Sequence, residues 1–147
     1  MFQLIKIEYG RDNIPEPMLL PATEGVSYTV GTALYLDKTK HSLAVASGDT
    51  TAEYIALEDK IAKAGEKLLC YRVFPQMVFE APLTEGNAST VTVGARVQFS
   101  ADGKGLTATA ATGMTVSGSA VKMALGGTVI DTMGAKAAGD KLLVRLQ

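Results

Sequence analysis

The chain has 147 residues, of which 47% are hydrophobic and 20% are charged, with a formal net charge of −1 at pH 7. This composition is typical of one folded domain or of two very small ones, and it excludes an intrinsically disordered chain. A net charge of −1 is not the basic excess that is typical of nucleic-acid-binding proteins. No apolar run approaches the roughly 20 residues that span a bilayer. The single cysteine excludes an internal disulfide.

The first predicted element is an apolar strand in "MFQLIKIEY". Strand alternation places Ile5, Ile7 and Tyr9 on one face, and Phe2 and Leu4 on the other. The prolines of "NIPEPMLLP" resist helix and central sheet, so we expect residues 1–20 to form an extended arm that adds a strand to a partner's sheet. The alternative is that this strand pairs with the chain's own first β unit. The candidate partner contacts are Phe2, Leu4, Ile5, Ile7, Tyr9, Ile14, Pro15 and Pro17.

Short strands separated by turns are predicted for residues 21–81. The segment "VSYTVGTALYLD" is rich in β-branched and aromatic residues, and the turn "DKTKH" separates it from "SLAVAS". The one candidate helix is "ALEDKIAKAGEK", although its apolar residues do not hold a 3.6-residue stripe for long. Gly65 then predicts a turn before a buried closing strand, "KLLCYRVF".

The second half of the chain repeats the motifs of the first half in the same order. "PATEG" at position 21 returns as "PLTEG" at position 82, and "TVG" at position 29 returns at position 92. Leu43 aligns with Leu106, and the Gly65 turn aligns with a turn at Gly139. Ordered matches of this kind indicate two tandem copies of one supersecondary unit. A unit of about 60 residues buries too little surface to be comfortably stable alone, so two copies can share or abut a core.

These elements together predict an all-β fold. We expect an N-terminal arm at residues 1–20, a first β repeat at 21–81 and a second at 82–147, each resembling a small barrel or sandwich. The second repeat is longer because of an insertion near residues 114–127. Its Asp102-Gly103 pair suits the positive φ angles of a tight hairpin.

Catalytic and metal-binding patterns are scarce in this sequence. His41 is the only histidine and lies in a predicted turn, whereas Cys70 lies in a predicted buried strand, so we do not expect a Cys–His dyad. The acidic residues Glu24 and Glu85 occupy aligned turns, which favours solvated turn residues over paired catalytic carboxylates. We therefore predict no enzyme activity, no cofactor and no metal site.

One stretch resembles a known modification site. "AVKMALGG" is similar to the lysine hairpin of biotinyl and lipoyl carrier domains, and "AGDKLLVRLQ" is similar to their closing strand. Lys122 would be the modified residue. In that family the lysine sits between the two β halves, whereas Lys122 lies inside the second repeat, and the acidic residue that precedes the family's motif is missing.

Most of the chain resembles a second family, with the similar segments in the same order along the sequence. The segments "RDNIPEP", "VGTALYLD", "EYIALED…AGEKLLCYRVFPQMVFEAPL" and the terminal "AAGDKLLVRL" are similar to small virion proteins of tailed bacteriophages, the head decoration or cement proteins. The resemblance implies an all-β protein, made in the host bacterial cytoplasm, that binds the capsid exterior of the virion. Its implied partners are the major capsid protein and two further copies of itself in a trimer, with no nucleic acid and no membrane.

Two alternatives to capsid stabilisation stay open at this point. A small β module that binds a receptor or a glycan on the virion would use exposed aromatic residues, for which Tyr28, Tyr35, Tyr54 and Tyr71 are the candidates. The carrier domain with a modified Lys122 is the less favoured alternative.

Overall fold

The computed structural model describes residues 1–8, 15–48, 50–85, 91–108, 115–117, 120–122, 127–133, 135 and 137–146. The strands in chain order are β1 (Gln3–Ile7), β2 (Pro17–Pro21), β3 (Ser27–Tyr28), β4 (Ala33–Asp37), β5 (Ser42–Val45), β6 (Tyr54–Ala56), β7 (Lys60–Ile61), β8 (Lys67–Arg72), β9 (Met77–Glu85), β10 (Arg96–Phe99), β11 (Leu106–Ala108), β12 (Thr115–Ser117), β13 (Ala120–Lys122), β14 (Gly127–Asp131) and β15 (Lys141–Leu146). The described residues contain no helix, and the predicted all-β class is confirmed.

The helix considered for residues 56–67 is wrong, because this segment forms the end of β6, then β7, then the turn before β8. Two of its three acidic side chains accept hydrogen bonds from backbone amides of other strands and loops. The Leu69 N–H donates to Glu58 at 2.8 Å, and the Val30 N–H donates to Asp59 at 2.7 Å. These carboxylates therefore satisfy backbone N–H groups of neighbouring segments.

The first sheet contains five strands in the order β2-β8-β6-β4-β5, all antiparallel. A parallel bridge between Ala22, just after β2, and Leu43 of β5 joins the two ends of this sheet. The predicted turn "DKTKH" connects β4 to β5, and the Asp37 carboxylate accepts the N–H groups of Thr39 at 2.9 Å and Lys40 at 3.2 Å. Strands β3 and β7 form a separate short pair.

The second sheet has the order β1-β9-β11-β10-β14-β15, and β15 also pairs with β9. This last pairing closes β9, β11, β10, β14 and β15 into a ring of hydrogen-bonded strands. Strand β1 lies outside the ring, on one edge of β9. The predicted Asp102-Gly103 hairpin joins β10 to β11, and Gly103 has a φ of 64°. Strands β12 and β13 form their own hairpin within the predicted insertion.

Aligned positions of the repeated motifs form corresponding pairs in the two sheets. The first sheet pairs Pro21 with Lys67, Leu36 with Leu43, and Ile55 with Tyr71. The second sheet pairs Pro82 with Lys141, and Phe99 with Leu106. Arg145, which aligns with Tyr71, pairs with Thr128, so Thr128 corresponds to Ile55 through this strand pairing. The predicted turns before the closing strands are also present, since Gly65 and Gly139 have φ angles of 76° and 95° just before β8 and β15.

Two clusters of buried side chains form the core. The smaller cluster lies within the first sheet and contains Leu34, Leu43, Leu68 and Cys70. The larger cluster contains the inward side chains of the second sheet together with Ala33, Ile55 and Tyr71 of the first sheet. Neighbours along β4 alternate between the two clusters, as the two-residue period of a strand requires. The first sheet is thus covered on both faces, and the two sheets share one core.

Backbone hydrogen bonds also join the sheets directly. The Ala33 N–H donates to the Gly103 carbonyl at 2.8 Å, and Gly48 and Phe99 exchange two bonds of 3.0 and 3.1 Å. Gly103 sits so close that a Cβ there would lie 2.6 Å from Val45 Cγ1. The β10–β11 hairpin therefore requires a residue without a side chain at position 103.

Candidate interaction surface at the N-terminal strand

Strand β1 is the terminal strand of the second sheet, and it pairs antiparallel with β9. Gln3 pairs with Glu80, Leu4 with Phe79, and Lys6 with Val78. The register shifts between Leu4 and Lys6, so Ile5 is the extra residue of a β-bulge. Among the described strands β1 pairs with β9 alone, which leaves its other edge facing away from the sheet.

The bulge changes which apolar side chains of β1 face outward. Leu4 and Ile7 both pack against the larger buried cluster, whereas Ile5 is 47% exposed. The predicted common face of Ile5 and Ile7 is therefore wrong, because the extra residue at the bulge reverses the alternation between them. Ile5 is left as the exposed apolar side chain at the centre of this strand.

Phe2 is an internal anchor. Its ring is 3% exposed and makes edge-to-face contacts with Phe79 at 6.5 Å and Phe99 at 5.5 Å between ring centroids. Its N–H donates to the Gly31 carbonyl at 2.9 Å, so the first residues contact the first sheet as well as the second. Phe2 was predicted as a partner contact, but in this arrangement the ring is inside the protein and is not available to a partner.

Gly31 makes this docking possible. It has a φ of 75°, and a Cβ at this position would lie 2.7 Å from the Phe2 carbonyl oxygen. The aligned glycine of the second "TVG", Gly94, has a φ of 84° and nothing within 4 Å of the same Cβ position. The repeated "TVG" aligns the two glycines, but Gly31 was expected inside a strand-like segment, so the sequence gave no signal for either turn or for the docking of the N-terminal strand at one of them.

Charged residues lie along the outer side of β1, β9 and β15. Glu8 forms ion pairs with Lys6 at 2.8 Å and with Arg145 of β15, and Glu80 pairs with Lys141. The Glu8 N–H also donates to the Gln76 carbonyl at 2.8 Å, which extends the β1–β9 contact by one residue. A cleft of about 270 Å³ next to β1 is lined by Met1, Gln3, Glu80, Ala81, Pro82 and Lys141. This surface therefore combines charged side chains with one exposed isoleucine.

The remaining predicted contacts lie apart from this surface or outside the described residues. Tyr9 and Ile14 are outside the described residues. Pro15 is partly buried, and Pro17 is exposed and begins β2, which pairs with β8 of the first sheet. Residues 1–20 are thus divided between the two sheets, and the predicted boundary between residues 20 and 21 falls inside β2.

Cys70 and His41 occupy different environments. Cys70 is buried in the smaller cluster, where desolvation raises the pKa of its thiol to about 11, so the thiol is protonated at neutral pH. His41 is exposed in the β4–β5 turn with a φ of 52°. Burial likewise raises the pKa of Tyr71 to about 12. Within the described ranges no group of three or more His, Cys, Asp or Glu residues is placed to hold a metal ion.

The tyrosines proposed for a receptor- or glycan-binding module and the lysine proposed for a carrier domain lie in different parts of the fold. Tyr28 and Tyr71 are buried, and Tyr35 and Tyr54 are partly buried against the two clusters, so these rings do not form an exposed platform. Lys122 pairs with Thr115 at the open end of the β12–β13 hairpin, whereas Ser117 and Ala120 flank its tip. Glu24 is exposed in a turn.

A scan against models of known protein families finds no match to this chain, and a search of the curated proteins finds none either. In the part of the chain that the structure describes, no helix is long and apolar enough to cross a membrane.

Proposed function

We propose that this protein is a structural component of a tailed-phage virion, which binds the outer surface of the capsid and stabilises the assembled head. The sequence resemblance to head decoration proteins supplies the partner. The observation that carries the proposal is β1, a terminal strand with an unpaired outer edge among the described strands and an exposed Ile5 at its bulge. An unpaired edge offers backbone N–H and C=O groups to a further strand, and the exposed Ile5 side chain would contact that strand.

The proposed architecture is a tandem duplication of a small closed β unit with an extended N-terminal segment. Corresponding pairs at aligned positions support it, as do matching turn contacts. The Ala22 N–H donates to the Glu66 carbonyl at 2.9 Å, and the Leu83 N–H donates to the Asp140 carbonyl at 2.8 Å. The N–H groups of Lys63 and Ala137 donate to the carboxylates of Glu66 and Asp140, each at 2.9 Å. Contacts that recur at this spacing are expected of two copies of one ancestral unit.

The mechanism we propose is stabilisation by binding rather than catalysis. A protein that binds the assembled shell and not its separated subunits stabilises the shell at each site by RT ln(1 + [L]/Kd), about 2.7 kcal/mol at a hundredfold excess over Kd. Many sites over the shell multiply this effect. Clustering as a trimer, which the family resemblance implies, would add avidity because each copy holds its neighbours on the capsid.

The proposal is tested by binding to heads that were assembled without this protein. Ile5→Glu places a charge on the outer side of β1, and Ile61→Glu makes the same change at β7, where the isoleucine is 70% exposed. Both variants are expected to unfold at the temperature of the unaltered protein, since both side chains lie at the surface. Ile5→Glu should lose attachment at least tenfold in a co-sedimentation assay, whereas Ile61→Glu should bind normally.

Undiminished attachment of Ile5→Glu would refute the role of β1. Mass spectrometry of purified virions separates that failure from failure of the proposed function as a whole. A copy number close to that of the major capsid protein supports a shell-wide role, and absence from the particles refutes the virion proposal. A few copies per particle would favour the alternative of a receptor- or glycan-binding module at a vertex or fibre.

A further inference from the structure

The edge of β9 that receives β1 has an aligned counterpart on β2. Val78 and Glu80 of β9 pair with Lys6 and Gln3 of β1. The positions 61 residues earlier in the chain are Pro17 and Leu19 of β2. Strand β2 is the first strand in the order of its sheet, and over Pro17–Leu20 its outer edge pairs with no described strand. The chain therefore carries two edges of similar origin, one of which holds an N-terminal strand.

Backbone direction shows that the aligned residues face the same way. The Leu83 N–H points to β15, since it donates to Asp140, and the Ala22 N–H points to β8, since it donates to Glu66. Successive residues of a strand direct their N–H and C=O groups to opposite edges. Val78 and Glu80 therefore direct theirs to β1, and positions 17 and 19 direct theirs to the outer edge of β2.

Proline at position 17 removes the donor that this edge would need. Val78 has an N–H to offer to β1, whereas Pro17 has none, and its ring occupies the space in which a strand would approach. Pro15 aligns with Gln76, whose carbonyl oxygen accepts the Glu8 N–H. A proline also has a carbonyl oxygen, so Pro15 does not remove this acceptor. Pro21 aligns with Pro82, which lies beyond the last β1 pair at Glu80. The two edges thus differ at position 17, where β2 has a proline and the aligned position of β9 has Val78.

We infer that the outer edge of β2 has the backbone arrangement to pair with the N-terminal strand of another copy of this chain, and that Pro17 prevents this pairing. The inference depends on the strand pairing and not on the proposed function. Its consequence is that each chain holds one N-terminal strand instead of two. With both edges open, the strand of one copy could pair with β2 of the next, and such a head-to-tail contact does not close on itself. Leu19, which is 58% exposed on this edge, would be covered by an added strand.

The test uses the full chain with Pro17→Val, which inserts the residue found at the aligned position of β9. The control is Pro21→Val, which also removes a proline from β2 but at a position where the accepting edge keeps its own proline. The probe is a fluorescent peptide with the sequence of residues 1–8. Pro17→Val should bind the peptide roughly tenfold more tightly than the unaltered chain, because one hydrogen bond and the strand contact are restored.

The same variant should associate with itself as its concentration rises, as measured by analytical ultracentrifugation, whereas Pro21→Val should match the unaltered chain. A second variant, Pro17→Ala, restores the N–H with a smaller side chain, and it replaces Pro17→Val in both measurements if the valine prevents folding. The inference is overturned if a folded Pro17→Val or Pro17→Ala protein binds no more peptide than the unaltered chain. Equal binding by Pro21→Val would also overturn it, because loss of any edge proline would then be sufficient.

Discussion

The aligned glycines Gly31 and Gly94 allow the docking of the N-terminal strand to be measured. Each has a positive φ, so replacement by alanine strains the backbone by roughly 1–2 kcal/mol at both positions. At Gly94 nothing lies within 4 Å of the new Cβ, and this strain is the whole effect. At Gly31 the new Cβ would lie 2.7 Å from the Phe2 carbonyl oxygen, so the first residues must move away.

The additional loss at Gly31 can be worked from the contacts of Phe2. Displacement breaks the 2.9 Å bond from the Phe2 N–H to the Gly31 carbonyl, which is worth about 1 kcal/mol. It also exposes part or all of a buried phenylalanine, which is worth about 1.5–3 kcal/mol when complete. Gly31→Ala is therefore expected to lower the free energy of unfolding by about 2–4 kcal/mol more than Gly94→Ala does.

Urea unfolding followed by far-UV circular dichroism measures both variants under the same conditions. A double-mutant cycle with Phe2→Ala tests the cause, since Gly31→Ala should then cost little more than the backbone strain that it shares with Gly94→Ala. The reasoning fails if Gly31→Ala and Gly94→Ala are equally destabilising. It also fails if Gly31→Ala and Phe2→Ala are additive, because the glycine would then act on something other than the docked strand.

Two further predictions concern the contact between the sheets and the buried thiol. Gly103→Ala should destabilise the protein in urea unfolding by about 2–4 kcal/mol more than Gly139→Ala does. A Cβ at position 103 would clash with Val45 and the Ala33 carbonyl, whereas a Cβ at position 139 has nothing within 4 Å. Equal losses in the two variants would contradict the close contact between the sheets at Gly103. The raised pKa of Cys70 predicts a contribution to stability that is constant below about pH 9, where the thiol is protonated in both states. This contribution is lost between pH 9 and about 11, by at most about 3 kcal/mol in total. Cys70→Ala should remove the loss of stability that begins near pH 9, whereas the loss due to Tyr71, whose pKa is raised from 10.0 to about 12, should remain above pH 10. An unchanged loss just above pH 9 would assign it to another group.

Local signals in the sequence were sufficient for the turns and the closing strands. Gly65 and Asp102-Gly103 are residues that a tight turn requires, and the strand that follows Gly65 contains the apolar run Leu68–Cys70. The destination of β1 could not be predicted in this way. Its apolar pattern fits an edge of either sheet, and its place on β9 depends on contacts of Phe2 with Gly31, Phe79 and Phe99, which are far away in the sequence. The bulge at Ile5 is likewise set by the pairing with β9 and not by β1 itself.

The proposed duplication also explains why the two units differ most on one face. Three cross-strand neighbours of the first sheet lie in the cluster that joins the sheets, namely Ala33, Ile55 and Tyr71. The aligned cross-strand neighbours of the second sheet are Arg96, Thr128 and Arg145. An apolar row is stabilised when another unit covers it, whereas burying two guanidinium groups under a further unit would cost several kcal/mol unless each was paired. The first sheet thus has an apolar row that the second sheet covers, whereas the two arginines at the aligned positions of the second sheet oppose the packing of a further unit there.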